Sequence, residues 1–264
     1  MKIIVCVKQV PDTADIKWTE NNTMVRDGVE SILNPFDEYA LETAIRIKES
    51  NSDTTIVVFT MGPPQAKDVL KRAIAMGADN AFLITDKKFA GADTQSTSRT
   101  LAKAIKEKAN DFDLIICGQF AIDGDTAQTG PSIAEHLNLP QITYVKEVES
   151  SGKDTIIARR EIEEGLQRVE MRLPGLICML KCDYEPRIPS IKGTMKANRV
   201  QIPEVNMEEL GLDASEVGIK GSPTFVSKAF RPPVRQSGEI INISDPKEAA
   251  NALLERLKNE KILV

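Results

Sequence analysis

The sequence predicts an α/β protein: a doubly wound, mostly parallel sheet with an added antiparallel hairpin and a C-terminal arm. Three observations carry the prediction. Short, uninterrupted apolar runs recur through the first 145 residues. Stretches of helical period separate them, which is how a parallel sheet covered on both faces reads in sequence. After Val145 the runs become a polar, turn-linked pair, and later prolines accumulate while periodicity fades.

Residues 3–7 form the first apolar run and read as the opening strand. Phe36, Ala40, Leu41, Ala44 and Ile45 then share one helical face. A strand over 55–61 precedes a second helix, with Ala66, Val69, Leu70, Ala73 and Ile74 on one side. Strand 81–85, helix 94–109, strand 114–117, helix 126–137 and strand 142–145 continue the alternation. Segments 155–160 and 166–172 form a hairpin around the acidic turn Glu161-Ile162-Glu163-Glu164-Gly165. A further apolar strand spans 175–181 and stops at Glu185-Pro186-Arg187-Ile188-Pro189. The next 55 or so residues lack periodicity and are too long for an ordinary loop. They read as an arm that gains order on another subunit, or as a loosely packed tail. Ala249, Ala250, Leu253, Leu254 and Leu257 align in a last helix over 246–257, with Pro246 well placed at its start. The expected division is a nucleotide-binding domain over 1–189 and a recognition loop plus arm over 190–264.

Several function classes are disfavoured. With 34 basic against 39 acidic residues, the net charge of −5 argues against general nucleic-acid binding. No apolar run reaches membrane-spanning length. The N-terminal run is too short for a signal peptide, so a cytoplasmic or equally reducing compartment is expected. Cys6, Cys117, Cys178 and Cys182 show no CxxC spacing and read as buried, inert thiols. His136 is the single histidine, late in a helix and suited to a capping or surface role, so zinc sites and histidine-based nucleophilic catalysis have little support.

The chemistry concentrates after strand 114–117. The strand ends at Gly118, and Asp123-Gly124-Asp125-Thr126-Ala127-Gln128-Thr129-Gly130-Pro131 leads into a helix. A helix start offers unpartnered N–H groups and partial positive charge, which suits an anion such as a nucleotide phosphate. Gly124 and Gly130 permit close backbone approach, and Thr126 or Thr129 can donate. The loop lacks the lysine of a Walker loop and the spacing of GxGxxG. A capped junction without ligand explains it equally simply. Three other turns lie at the same end of the strands, where open α/β sheets bind ligands. They are Asn34-Pro35-Phe36-Asp37, Thr60-Met61-Gly62, and Gly91-Ala92-Asp93-Thr94 followed by Thr97. Asn34 or Asp37, and Asp93 or Thr94, are also natural helix caps.

Taken in order, these segments resemble the β subunit of electron transfer flavoproteins along nearly the whole chain. The resemblance rests on Val5-Cys6-Val7-Lys8-Gln9-Val10-Pro11-Asp12, Asn34-Pro35-Phe36 and Ala75-Met76-Gly77-Ala78-Asp79. It continues through 123–131 and Ala158-Arg159-Arg160-Glu161-Ile162-Glu163-Glu164-Gly165 to Leu173-Pro174. It implies a Rossmann-like, adenine-nucleotide-binding fold and a heterodimer with an α subunit that carries FAD. Matching positions imply nucleotide contacts at Cys6 (through backbone), Asn34, Asp37, Met61, Gly118, Asp123, Gly124, Asp125, Thr126, Ala127, Gln128, Thr129 and Gly130.

In ordinary carriers of the family the β-subunit nucleotide is AMP; in the electron-bifurcating branch it is a second FAD. The small residues of 123–128, the first turn Val10-Pro11-Asp12-Thr13, and Asp93, Thr94 and Thr97 resemble the bifurcating form. That branch implies FAD, NADH as electron donor, ferredoxin or flavodoxin as one acceptor, and a flavin-dependent dehydrogenase as the other. No catalytic residue is expected, because the cofactor carries the chemistry. The segment 187–195 resembles the family's recognition loop, with Ile191 and Met195 as partner-binding residues. An exposed isoleucine in a proline-bounded linker is the plainer explanation of that segment. A nucleotide-sensing or hydrolysing α/β domain is a third reading, weakened by the missing phosphate-loop lysine.

Overall fold

The computed structural model describes residues 1–12, 31–228, 238 and 240–263, so Thr13 lies outside the described residues. Eleven strands and six α-helices are described. They are β1 (Lys2–Cys6), β2 (Gln9–Pro11), β3 (Ser31–Leu33), α1 (Pro35–Ser50), β4 (Thr55–Met61), α2 (Lys67–Met76), β5 (Asn80–Ile84) and α3 (Thr94–Lys108). Then follow β6 (Leu114–Gly118), α4 (Thr129–Leu137), β7 (Gln141–Ser151), β8 (Thr155–Ile162), β9 (Gly165–Arg172), β10 (Gly175–Met179), α5 (Ile191–Arg199), β11 (Glu204–Val205) and α6 (Pro246–Asn259). Nine strands form one sheet in the order β11-β5-β4-β1-β6-β10-β7-β8-β9; the first seven are parallel, and β8 and β9 antiparallel. The α/β, mostly parallel fold is therefore as expected. Strands β2 and β3 make a separate two-stranded ribbon that the sequence did not suggest.

Alternation along β1 shows why both faces are covered. Ile3 and Val5 point to a core shared with α1 and α2, whereas Ile4 and Cys6 point to a core shared with α3 and α4. Each fully buried aliphatic side chain contributes roughly 1.5–3 kcal/mol, so the two cores supply most of the cohesion. Among the described residues, no helix is long and apolar enough to cross a membrane.

Several element boundaries differ from the sequence expectation. Helix α4 begins at Thr129 instead of Thr126, because Asp125 and Ala127 adopt left-handed backbone (φ 47° and 55°) that no α-helix tolerates. The hairpin turn narrows to Glu163-Glu164, since pairing runs to Ile162 and Gly165. Within 190–227, where little order was expected, α5 packs on α2 and β11 extends the sheet beside β5. By contacts, residues 1–227 form one compact unit and 228–264 a second. In that second unit, Asp245 caps α6 through the amides of Lys247 and Glu248, and no residue of α6 is buried.

The chain after β10 is fastened to α1 by Arg187. Its guanidinium reaches Glu42 (Nε–Oε2 2.8 Å) and Glu49 (Nη1–Oε1 2.6 Å). Burial pushes the Glu42 carboxyl up, but hydrogen bonds from Arg187 and Arg46 outweigh it and hold the carboxyl below its ordinary range. Arg46 also lies 3.8 Å from the Tyr184 ring centroid. Arg187→Met should cost about 1–2 kcal/mol, because Arg46 still partners the buried Glu42. Urea unfolding checks this, and an unchanged midpoint would reduce the clamp to a surface pair.

Candidate functional site

The chain leaves β1 toward β4 on one side, and β6 lies on the other. The carboxyl ends of β1 and β6 therefore flank the topological switch point, where open α/β sheets form their ligand crevice. The start of α1 sits above it. Asp37, buried, accepts from the backbone N–H of Lys8 (2.7 Å) and of Gly118 (3.2 Å), tying the two strand ends together. Asn34 donates to the Phe120 carbonyl (3.0 Å) and accepts from the Ile122 N–H (3.2 Å). Neither residue caps α1: Asn34 occupies the N-cap without a side-chain cap bond. The capping expectation fails because Asn34 holds the segment after β6 and Asp37 holds the ends of β1 and β6 instead. Phe36 and Phe120 add a ring contact at 4.2 Å between centroids.

That anchoring sets the course of 118–128. Gly118 touches α1 so closely that a Cβ would fall on the Asp37 carboxylate and within 2.8–2.9 Å of the backbone of Phe36 and Asp37. Lys8 Nζ reaches Asp123 Oδ1 at 2.6 Å, with the Asp123 side chain 4% exposed. Beyond it, Asp125 donates its N–H to the Ala121 carbonyl (2.9 Å), and the backbone turns left-handed at Asp125 and Ala127. Gly124, Asp125, Thr126 and Gln128 are exposed, and a Cβ on Gly124 would meet nothing within 4 Å. No side chain caps the N-terminus of α4. Its first turn thus offers N–H groups and partial positive charge beside an open loop, the arrangement an oxyanion ligand requires. Gly130 serves differently from the expectation of ligand approach. A Cβ there would lie 2.5 Å from Cys178 Sγ, so its bareness seats α4 on the sheet.

Beneath α4 lies a row of thiols. Cys6, Cys117 and Cys178 are register partners on β1, β6 and β10. All four cysteines are buried and free, as expected. A hydrogen bond with Cys6 and burial push the Cys117 thiol well up, and burial pushes Cys178 up to about 12. Both stay neutral near pH 7 and are poor nucleophiles. His136 is half-buried with no hydrogen-bond partner for Nε2, and burial and Arg99 lower its pKa.

Helix α3 adds a second wall. Asp93 caps it by accepting from the Ser96 N–H at 2.9 Å, as its position suggested. Its carboxylate also takes two hydrogen bonds from Thr224, at 3.0 and 2.7 Å. Burial pushes this carboxyl up, but these donors outweigh it and leave the pKa lowered. Thr94 Oγ1 donates to Gln128 Oε1 (3.3 Å), so the starts of α3 and α4 meet. Met61, half-buried, closes β4 on the same side of the sheet.

The expected residues therefore divide. Thr94, Gly124, Asp125, Thr126, Ala127, Gln128 and Thr129 belong to the adjoining α3 and α4 starts and the loop between β6 and α4. Thr97 lies in the first turn of α3, its N–H bonded to the Asp93 carbonyl (2.9 Å). Asn34, Asp37, Asp93 and Asp123 have side chains already bonded to protein, and Gly118 and Gly130 make close packing possible. Sequence reading missed Lys8, Ser96 and Gln119. The Ser96 hydroxyl is fully buried without a partner. Gln119, 3% exposed, accepts from the N–H of Tyr144 (2.6 Å), which adopts φ 60° with its ring exposed. No spacing distinguishes these three from ordinary strand-end and helix residues.

Apart from the crevice, Ile191 and Met195 lie exposed on α5, near the exposed Ile188. Ser190 caps the helix, and a Cβ on Gly193 would collide with the Ala75 carbonyl, so α5 is held close on α2.

A family profile described as "Electron transfer flavoprotein domain" matches residues 21–210. The electron transfer flavoprotein subunit beta of Megasphaera elsdenii is 46% identical, the match covering 100% of both chains. The caffeyl-CoA reductase-Etf complex subunit CarD of Acetobacterium woodii is 44% identical, again over 100% of both. Protein FixA of Bradyrhizobium diazoefficiens is 40% identical over 97% of this chain and 91% of its own.

Proposed function

The chain belongs to the electron transfer flavoprotein family as a β subunit, and we propose that its crevice holds FAD in a cytoplasmic heterodimer with an FAD-carrying α subunit. Held by the loop over 123–130 and the start of α4, FAD would supply hydride acceptance from NADH and the division of its two electrons between ferredoxin or flavodoxin and, through the α-subunit FAD, a partner dehydrogenase. The supporting observation is the open, left-handed loop after β6 that leads to α4, whose N-terminus no side chain caps. Free N–H groups at α4 and the hydroxyls of Thr126 and Thr129 suit phosphate oxygens. Small residues at Gly124 and Ala127 leave room for a second phosphate and the rest of a dinucleotide. Asn34, Asp37 and Lys8 act indirectly, by setting the path of the loop.

The same cradle suits AMP, because both nucleotides share an adenosine 5′-phosphate. With AMP, the chain is the structural half of a simple electron carrier. On either reading, Ile191 and Met195 form an apolar anchor for the dehydrogenase, and 228–264 is an arm seated on the α subunit. The Acetobacterium relative's name places it in a caffeyl-CoA reductase complex, which supports a partner acting on CoA thioesters.

Nucleotides released by denaturing the co-purified heterodimer and separated by chromatography test the proposal. Two FAD per heterodimer is the expected count. One FAD with one AMP overturns bifurcation and leaves the carrier reading. Thr126→Trp should remove this subunit's nucleotide and leave the α-subunit FAD; loss of both would make the loop a structural element.

A further inference from the structure

We infer that Asp93 is a positioning residue that fastens the segment before the C-terminal arm onto the nucleotide crevice, rather than a ligand to the nucleotide. The inference deepens the proposed function and rests on that reading of the crevice.

The segment after β11 lies along the α3 side of the sheet as a strap. Leu210 and Val217 are buried in the core shared by α3 and α4. Arg99, on α3, donates to the Glu216 carbonyl at 3.3 Å. The strap then turns back at Gly218 (φ 57°), where a Cβ would collide with the Lys88 carbonyl and lie 3.1 Å from the Ala90 carbonyl oxygen. Ile219 packs on Gly91 (φ 71°), whose Cβ would lie 2.8 Å from Ile219 Cδ1. Left-handed backbone favours glycine at both positions, and at Gly218 the Lys88 carbonyl also leaves no room for a side chain.

The strap ends on one residue. Asp93 donates its N–H to Ser222 Oγ at 2.8 Å, and its Oδ2 accepts from the Thr224 N–H and Oγ1. Ser222 is braced in turn by the Gly218 carbonyl (2.7 Å). The other carboxylate oxygen caps α3 through Ser96. With both oxygens occupied, Asp93 has little capacity left for a ligand, and its negative charge is a poor neighbour for phosphate. The next residue, Thr94, carries the hydroxyl that meets Gln128 at the start of α4. A short covalent and hydrogen-bonded path therefore runs from Thr224 through Asp93 and Thr94 to Gln128. The second compact unit begins at Lys228, just beyond the strap. An event that pulls on or braces the strap reaches the crevice wall through this path, and by linkage nucleotide binding acts back on the strap.

The double variant Ser222→Ala/Thr224→Val removes the two side-chain bonds between the strap and Asp93, and leaves the Thr224 N–H bond and the Asp93 cap on α3 in place. In the full-length chain, amide hydrogen exchange should quicken at 94–97 and 126–130. Affinity for added AMP and for added FAD, measured separately by calorimetry, should fall roughly fivefold, less than the full loss of a charge-assisted hydrogen bond, because the change reaches the crevice only through Thr94 and Gln128. Thr224→Ser, which keeps the hydroxyl, should restore both. Wild-type exchange rates at both segments in the double variant overturn the inference, as does a Thr224→Ser protein as loose as Thr224→Val. If the double variant fails to fold, Thr224→Val and Thr224→Ser decide alone. A wild-type chain that binds neither AMP nor FAD overturns the proposed function instead, and the exchange comparison still decides the role of Asp93.

Discussion

Gly118→Val should destabilise the protein by roughly 3 kcal/mol or more, the upper end of overpacking effects. The added Cβ falls on the Asp37 carboxylate and against the backbone of Phe36 and Asp37. A flexible side chain can move aside; the first turn of α1 cannot, because Asn34 ties it to Lys8, Phe120 and Ile122. The strand end or the helix must therefore shift, and the loop over 118–128 shifts with either. Urea unfolding and nucleotide retention should both report the change. A variant as stable as wild type would mean that the contact between β6 and α1 gives way easily. Gly124→Val is the control: a Cβ there meets nothing within 4 Å, so stability should hold.

Asp37→Ala should cost a comparable amount, about 2–4 kcal/mol, because it leaves the Lys8 and Gly118 N–H groups without their acceptor. A pH signature distinguishes this residue from other buried contacts. Burial raises the Asp37 carboxyl from 3.8 to about 7, outweighing the hydrogen bonds that lower it. A carboxyl raised in the folded state is protonated more readily there than in the unfolded chain. Its contribution is thus fully present below about pH 4 and is lost as pH rises through about 7. Across that window the lost stability approaches roughly 4 kcal/mol. Asp37→Asn cannot titrate, so the stability of wild type relative to this variant should decline between pH 4 and 7. A difference that is flat with pH, in unfolding followed by circular dichroism, would show that the carboxyl titrates normally.

The sequence alone determined the parallel sheet and its covering helices, and it led to an expectation for the end of the strands where a ligand would lie. Those features depend on local period and on the general rule for open α/β sheets, and both can be read from runs such as Leu114-Ile115-Ile116-Cys117. The Asp93 cap was legible for the same reason, since capping involves neighbours in sequence. What Asp37, Lys8 and Gln119 do was not legible, because their partners lie 29, 115 and 25 residues away. Asp37 and Asp93 are the same residue type at two helix starts. One caps its helix, while the other ties β1 to β6, because α1 alone begins directly above the switch point. Gly130 shows the same limit. A glycine in a phosphate-like loop suggests ligand approach, yet the insertion of β10 beside β6 brings Cys178 beneath it. Order in 190–227 likewise depends on α2, β5 and Asp93, distant surfaces that leave no periodic trace in the segment they hold. Sequence decided the alternating strands and helices of the main sheet; tertiary packing decided the β2–β3 ribbon, α5 and β11 and which polar groups remain free at the strand ends, because each group's partner is set by topology.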